Sequence, residues 1–263
     1  MPYIGKPPPI TASVLEDADQ DTKIQVEESA DEDTIRFDIA GAEVATLTNS
    51  SLVLKGTTPT LTIGDAGAED AKIVFDGNAQ DFHIGLDDTA DDLVIGLGSA
   101  LGTTTHMSFD ETGAILKPLQ PAFHSRRTSA NNDFSGDGTQ YTVPFDGTET
   151  FDQNADFDGT TFTAPVAGAY LFTYTLSIQN IGSSHTTGRV EFKTSNRDYR
   201  HNRVNPYSVG AADNWTLQGS IIADMDASDT AYVTVFVGGG AKTVDFTVDA
   251  TAAYTYFAGC LLV

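Results

Sequence analysis

The sequence is poor in cysteine and lacks the residue patterns of known catalytic sites. Its 263 residues include one cysteine, Cys260, so no disulfide can form within the chain. The small and apolar residues around Cys260 predict a packed thiol rather than a nucleophile. None of the five histidines has a metal-ligand spacing from another histidine or from the cysteine. Because a glycine-rich phosphate loop and a nucleophile elbow are also missing, we predict no enzyme activity and no cofactor.

Basic residues are scarce as well. The chain has 14 lysines and arginines against 37 aspartates and glutamates, which gives a formal net charge of −23. Such a surface repels phosphate backbones and anionic lipids, so we expect no nucleic-acid partner. The sequence also has no apolar run of bilayer length, which argues against membrane insertion.

Metal binding is left open by the sequence. The paired acids at 87–88 and 91–92 could bind a structural calcium ion through their carboxylate oxygens. Their spacing does not match a known calcium loop, so solvated turns are the favoured interpretation. The metal ligands, if any, stay unknown at this stage.

The first 20 residues predict a leader without structure of its own. They begin MPYIGKPPP and become acidic, with no apolar signal core. The three consecutive prolines favour an extended chain that is ordered only against a partner. We therefore expect synthesis in the host cytoplasm and release by another route, such as lysis together with a virus particle.

Residues 21–119 predict an all-β stalk of short strands. Apolar and polar residues alternate over runs of four to six residues, separated by Gly, Asn or Asp. The pattern apolar-x-Phe-Asp recurs irregularly at 35–38, 73–76 and 107–110. Strands this short bury little area in one chain, so three chains packed around an axis are expected, that is, a homotrimer.

Residues 120–263 predict a denser β-sandwich head of ordinary domain size. The clearest strand is 168–178, where aromatic and aliphatic residues share one face and Thr or Ser the other. Segments 231–237 and 254–263 are apolar on both faces, which is typical of central strands or of strands that face a partner chain. The expected core residues are Phe162, Tyr170, Phe172, Tyr174, Leu176, Phe257 and Leu261.

Two motifs of the head resemble the globular head of the complement component 1q family. They are the stretch DGTTFTAPVAGAYLF at 158–172 and FAGCLL at 257–262. That family is a trimeric jelly roll related to tumour necrosis factor, so the resemblance implies the same fold and a homotrimer. The segment 227–230 departs from the family, which usually has a Gly-Asp turn there, and the family's calcium positions do not map onto this chain.

The N-terminal part resembles fibre and appendage proteins of marine tailed bacteriophages. The leader residues Tyr3, Ile4, Gly5, Lys6 and Pro7 are similar to their virion-attachment leader, and residues 21–38 to their stalk sequence. The resemblance implies a structural virion protein that is attached to other virion proteins and is part of a tail, neck or head fibre. A capsid-decorating protrusion is an alternative, and a glycan-degrading tailspike or a free bacterial lectin is a weaker one, since no long solenoid and no signal peptide are present.

The basic residues of the head are concentrated in one aromatic-rich segment. We interpret this segment as a long exposed loop at the tip that binds a host-surface glycan or protein. The alternative is a set of intersubunit salt bridges. The candidate residues are Arg189, Lys193, Arg197, Tyr199, Arg200, His201, Arg203, Tyr207 and Trp215.

Overall fold

The protein is almost entirely β-structured, which confirms the predicted fold class. The computed structural model describes residues 14–26, 31–130, 132–146, 151–209, 214–249 and 251–263. The helix found within these ranges is the short α1 (Pro206–Val209), and no described helix is long and apolar enough to cross a membrane. The chain divides into two compact units, residues 1–71 and 72–263.

The first unit contains one five-stranded antiparallel sheet with strands in sequence order. The short loops between successive runs of alternating residues favour this meander. Its strands are β1 (Val14–Glu16), β2 (Lys23–Gln25), β3 (Ile35–Ile39), β4 (Ala42–Leu47) and β5 (Leu52–Leu54). β1 lies within residues 1–20, for which the sequence predicts a leader without structure of its own. Because Val14–Glu16 pairs with Lys23–Gln25, such a leader does not extend to residue 20.

The second unit begins with another five-stranded antiparallel sheet. Its strands are β6 (Ala71–Phe75), β7 (Phe82–Asp87), β8 (Asp92–Leu97), β9 (Thr105–Phe109) and β10 (Ile115–Leu116). The paired acids at 87–88 and 91–92 lie at the turn of a hairpin, since Phe82–Asp87 pairs with Asp92–Leu97. The backbone N–H groups of Thr89 and Ala90 donate to the Asp87 carboxylate, so this acid closes the turn.

The head of the second unit is a sandwich of two antiparallel sheets. The strands are β11 (Ala122–Arg126), β12 (Gln140–Thr142), β13 (Phe151–Asp152), β14 (Phe162–Thr163), β15 (Gly168–Gln179), β16 (Thr187–Thr194), β17 (Asp198–Val204), β18 (Trp215–Met225), β19 (Thr230–Gly238), β20 (Asp245–Phe246) and β21 (Tyr256–Leu261). The first head sheet has the order β13-β11-β21-β15-β18, and β20 also pairs with β15. The second head sheet has the order β12-β19-β16-β17, and β14 pairs with β19. The chain crosses repeatedly between the two sheets, which is a jelly roll.

The core lies between the two head sheets. Alternation along β15 places Tyr170, Phe172 and Tyr174 inside, each at most 1% exposed, while Leu171 between them faces outward. Of the seven predicted core residues, six are buried, and Leu261 is only partly buried against the core. The prediction of a packed thiol at Cys260 is corrected for the single chain. Cys260 is partly exposed, because its position on β21 places its side chain on the outer face of the first head sheet.

Candidate functional site

The predicted receptor residues lie mostly on two paired strands, which corrects the expectation of a long loop. Residues 189–203 fall on β16 and β17, which form an antiparallel hairpin with Glu191 opposite Arg200. Polar side chains on these strands occupy solvent-facing positions of a regular sheet. A polar and charged composition was therefore a poor indicator of irregular structure here.

The predicted receptor residues are also spread along the side of the head and are not gathered at its tip. The β16–β17 turn contacts the β18–β19 turn, where the side chains of Ser195 and Asn196 donate to Asp229 at 2.6 and 2.5 Å. This end of the head is also where the chain enters, since Pro121 O accepts from the N–H of Leu261 at 3.0 Å. Arg197 thus lies near the base, and Arg203 near the opposite end.

Three of the candidate cations are held by one buried carboxylate, Glu191, whose side chain is 3% exposed. Its Oε1 accepts from Nε of Arg189 at 3.0 Å and forms an ion pair with Arg200, whose Nε lies 3.0 Å away. Its Oε2 lies 3.3 Å from Nζ of Lys193. Oε2 also accepts from the amide of Gln140 at 3.0 Å. This cluster satisfies a charge that the sheet would otherwise bury without a partner.

The electrostatics of the Glu191 cluster favour its ionised form. Burial by itself raises the pKa of Glu191, but the hydrogen bond and charge of Lys193, together with Arg189, outweigh it and lower the pKa below its ordinary value. The pKa of Lys193 is raised, first by its hydrogen bond to Asp198 and then by Glu191. The guanidinium of Arg189 also lies 4.0 Å from the ring centre of Phe236. These side chains hold β16, β17 and β19 together within one chain.

Three of the aromatic candidates turn toward the interior, which corrects their assignment to an exposed surface. The Tyr199 ring lies 6.1 Å from that of Phe192, and Trp215 is 6% exposed. His201 Nδ1 lies 2.9 Å from the hydroxyl of Tyr174, whose pKa is raised by burial. Trp215 is buried and the other two rings are partly exposed, so all three contribute to the packing of the head.

Arg197, Arg203 and Tyr207 are the exposed candidates that do not contact Glu191; Arg200 is exposed as well, with 63% of its side chain accessible, but is paired with Glu191. Tyr207 is 41% exposed beside α1, and both arginines are solvent-exposed. Within the part of the chain that the structure describes, neither arginine has an ion pair. The geometry therefore leaves two free cations on opposite ends of β17 instead of one compact patch.

An apolar surface covers part of the outer side of the first head sheet; its β21 portion agrees with the two apolar faces predicted for 254–263, but its β18 portion was not predicted. Ile222 is 62% exposed, Phe151 49% and Leu171 36%, and a shallow hollow lies among Leu171, Phe151 and small residues of β21. The consecutive apolar pair 221–222 on β18 was a usable signal, since one of two adjacent strand residues must face outward.

The other two predicted sites are the virion anchor and a possible metal site. The anchor residues Tyr3, Ile4, Gly5, Lys6 and Pro7 lie outside the described residues. Among the described residues, the carboxylates of Asp17, Asp19 and Asp21 come within 4.8 Å of one another, but all three are exposed.

Comparisons with known proteins are limited to solved structures. No family model matches the sequence, and no curated protein is found to be similar. The globular domain of zebrafish complement 1qA is 17% identical, with a TM-score of 0.36 over 55% of this chain and 98% of that chain. Two structures of murine APRIL are 9% and 12% identical, with a TM-score of 0.37 over 54% of this chain and 99% of theirs. With scores this low, the jelly-roll assignment of the head rests on the strand order described above.

Proposed function

We propose that this protein is a non-enzymatic, homotrimeric bacteriophage fibre whose jelly-roll heads bind the host-cell surface. The observation that carries the proposal is the apolar outer face of the first head sheet. Location on a virus particle is supported by the likeness of residues 3–7 and 21–38 to phage appendage proteins. The anchor to other virion proteins is then the leader.

The outer face of the first head sheet has the properties of a contact between copies. Ile222 and Leu171 are cross-strand partners on β18 and β15. Beside them on the same face, Thr173, Ala258 and Cys260 are small and uncharged. Exposed apolar patches of this kind mark interaction sites. The charged residues Asp224 and Arg126 lie near strand ends on this face and have opposite signs, while its centre is apolar. Copies with a net charge of −23 each can therefore approach across this centre with little repulsion.

We expect the full-length protein to have three times the chain mass of 27.9 kDa in light scattering. Ile222→Asp should lower that mass, because the interface would have to bury a carboxylate without a partner. Thr142→Asp, at an exposed position of the second head sheet, is the control and should leave the mass unchanged. A monomeric mass for the unmodified protein at micromolar concentration would sink the trimer.

The recognition part of the proposal is supported by the two free arginines. Arg197 and Arg203 are exposed cations on an acidic protein, and bacterial envelopes carry anionic polysaccharide that guanidinium groups can bind through charge-assisted hydrogen bonds. The acidic body would favour an approach with these cations toward the envelope. Three copies in one fibre would add up individually weak contacts.

Replacement of Arg197 and Arg203 by Ala together should reduce adsorption to host cells by about tenfold, which corresponds to 1.4 kcal/mol summed over three copies. The melting temperature should not change, since neither side chain has an ion pair among the described residues. Arg200→Ala is the matched control: it should lower the melting temperature, because it removes a partner of buried Glu191. Normal adsorption by the double variant would remove both arginines from the recognition site.

A further inference from the structure

The N-terminal sheet has one face without any charged side chain. Cross-strand register places Leu15, Ile24, Phe37, Ala45 and Leu54 in one row across the five strands. We call this surface the N-terminal apolar face; its members are Leu15, Ile24, Ile35, Phe37, Ile39, Ala45, Leu47, Leu52 and Leu54.

This face is exposed in a single chain. Leu15 is 72% exposed, Leu52 60% and Ile39 57%, and an apolar groove runs among Leu15, Ile24 and Phe37. Among the described residues of the first unit, 14–26 and 31–71, none is a buried hydrophobic residue. A single-layer sheet with an open apolar face is not expected to be stable alone, so something must cover it.

The opposite face of the sheet needs no partner. Arg36 pairs with Glu32 and Glu43, and Glu43 also pairs with Lys55. Lys23 Nζ lies 3.4 Å from the carboxylate of Asp38. Since these charges are paired within the sheet, the covering partner belongs on the N-terminal apolar face.

We propose that the N-terminal apolar face packs against the same face of other copies of this chain. The proposal rests on the homotrimer proposed above and adds a contact surface that is separate from the head. In this arrangement the uncharged faces of three chains form a shared core for residues 14–54, and the ionic faces point to solvent. Repulsion between the acidic chains is then confined to the water-exposed side.

A second one-sided sheet favours copies of this chain over an unrelated partner. In β6–β10 the residues Phe82, Ile84, Leu86, Leu93, Ile95, Leu97, Met107, Phe109 and Ile115 again share one face, several of them exposed. Five strands about 4.8 Å apart and about five residues long present only about 400 Å². A stable interface needs about 800 Å² per partner, which is more than one such sheet presents. Every copy of this chain carries both apolar sheets, so association between copies can cover each of them.

The test compares two equally exposed aliphatic residues on opposite faces of the sheet. Ile24 is 40% exposed on the N-terminal apolar face, and Val53 is 42% exposed on the ionic face, in the row of Thr46 and Arg36. In full-length protein with Cys260→Ser, Ile24→Cys should be joined between copies by a short thiol cross-linker, and Val53→Cys should not. Ile24→Asp should raise the dissociation constant of the trimer by at least about tenfold. Val53→Asp should leave that constant unchanged, and fluorescence of the single tryptophan, Trp215, checks that the head is folded.

The outcomes separate this inference from the proposed function. A trimeric protein in which Ile24→Cys cross-links no better than Val53→Cys would overturn the packing of the N-terminal apolar face and leave the trimer standing. A dimer that cross-links through Ile24→Cys would overturn the trimer but support contact through this face. A monomer would overturn both.

Discussion

Phe172→Ala should lower the free energy of unfolding of the head by about 3–5 kcal/mol, the usual cost of removing a buried phenylalanine. Phe172 is 1% exposed, and its ring centre lies 5.0 Å from that of Phe192 in the opposite sheet and 5.8 Å from that of Phe257. The substitution would leave a cavity between the two sheets, and the surrounding aromatic rings are too rigid to fill it. Denaturant unfolding followed by Trp215 fluorescence measures the loss.

Thr175→Ala is the control for Phe172→Ala, because Thr175 lies three residues further along β15 and faces outward, opposite Gln218 rather than Ile222. It should change the free energy of unfolding by less than about 1 kcal/mol, as surface substitutions generally do. Equal effects of the two substitutions would show that the faces of β15 are wrongly assigned.

Gly259→Ala should destabilise the head by about 1–3 kcal/mol, although it adds a single methyl group. Gly259 lies on β21 opposite Phe123 on one side and Phe172 on the other. A Cβ there would lie 2.6 Å from Cδ1 of Phe172 and 2.8 Å from Cε1 of Phe123, so both rings would have to move. The two rings are buried, at 1% exposure each, and have little free space.

The same substitution at Gly182 is the matched control. A Cβ at Gly182 would meet the ring of His185 at 3.7 Å, an ordinary van der Waals distance. Thermal unfolding of Gly182→Ala should therefore resemble that of the unmodified protein, and Gly259→Ala should unfold at least several degrees lower. An unchanged midpoint for Gly259→Ala would mean that β21 does not bring its glycine between these rings.

Strand positions and core residues of the head could be predicted because they depend on local alternation. Tyr170, Phe172 and Tyr174 recur at every second position, and this period is independent of the partner strands. The same rule predicts a strand where Val190 and Phe192 alternate with Glu191 and Lys193, and β16 confirms it; the loop interpretation fails only for the polar stretch that follows, which forms β17. A polar strand at the edge of a sheet has no apolar face strong enough to reveal it.

The sequence alone determined an all-β protein with a low content of basic residues, thin strands in its first half and a denser sandwich in its second. Only the tertiary structure decided what each exposed residue does. Arg200 meets Glu191 because β16 and β17 pair in one particular register, and Gly259 lies between two phenylalanines because β21 runs between β11 and β15. Contacts of this kind join residues that are distant along the chain, so composition and period cannot specify them. The physical reason is that alternation sets which face a side chain occupies, while strand order and register set what that face meets.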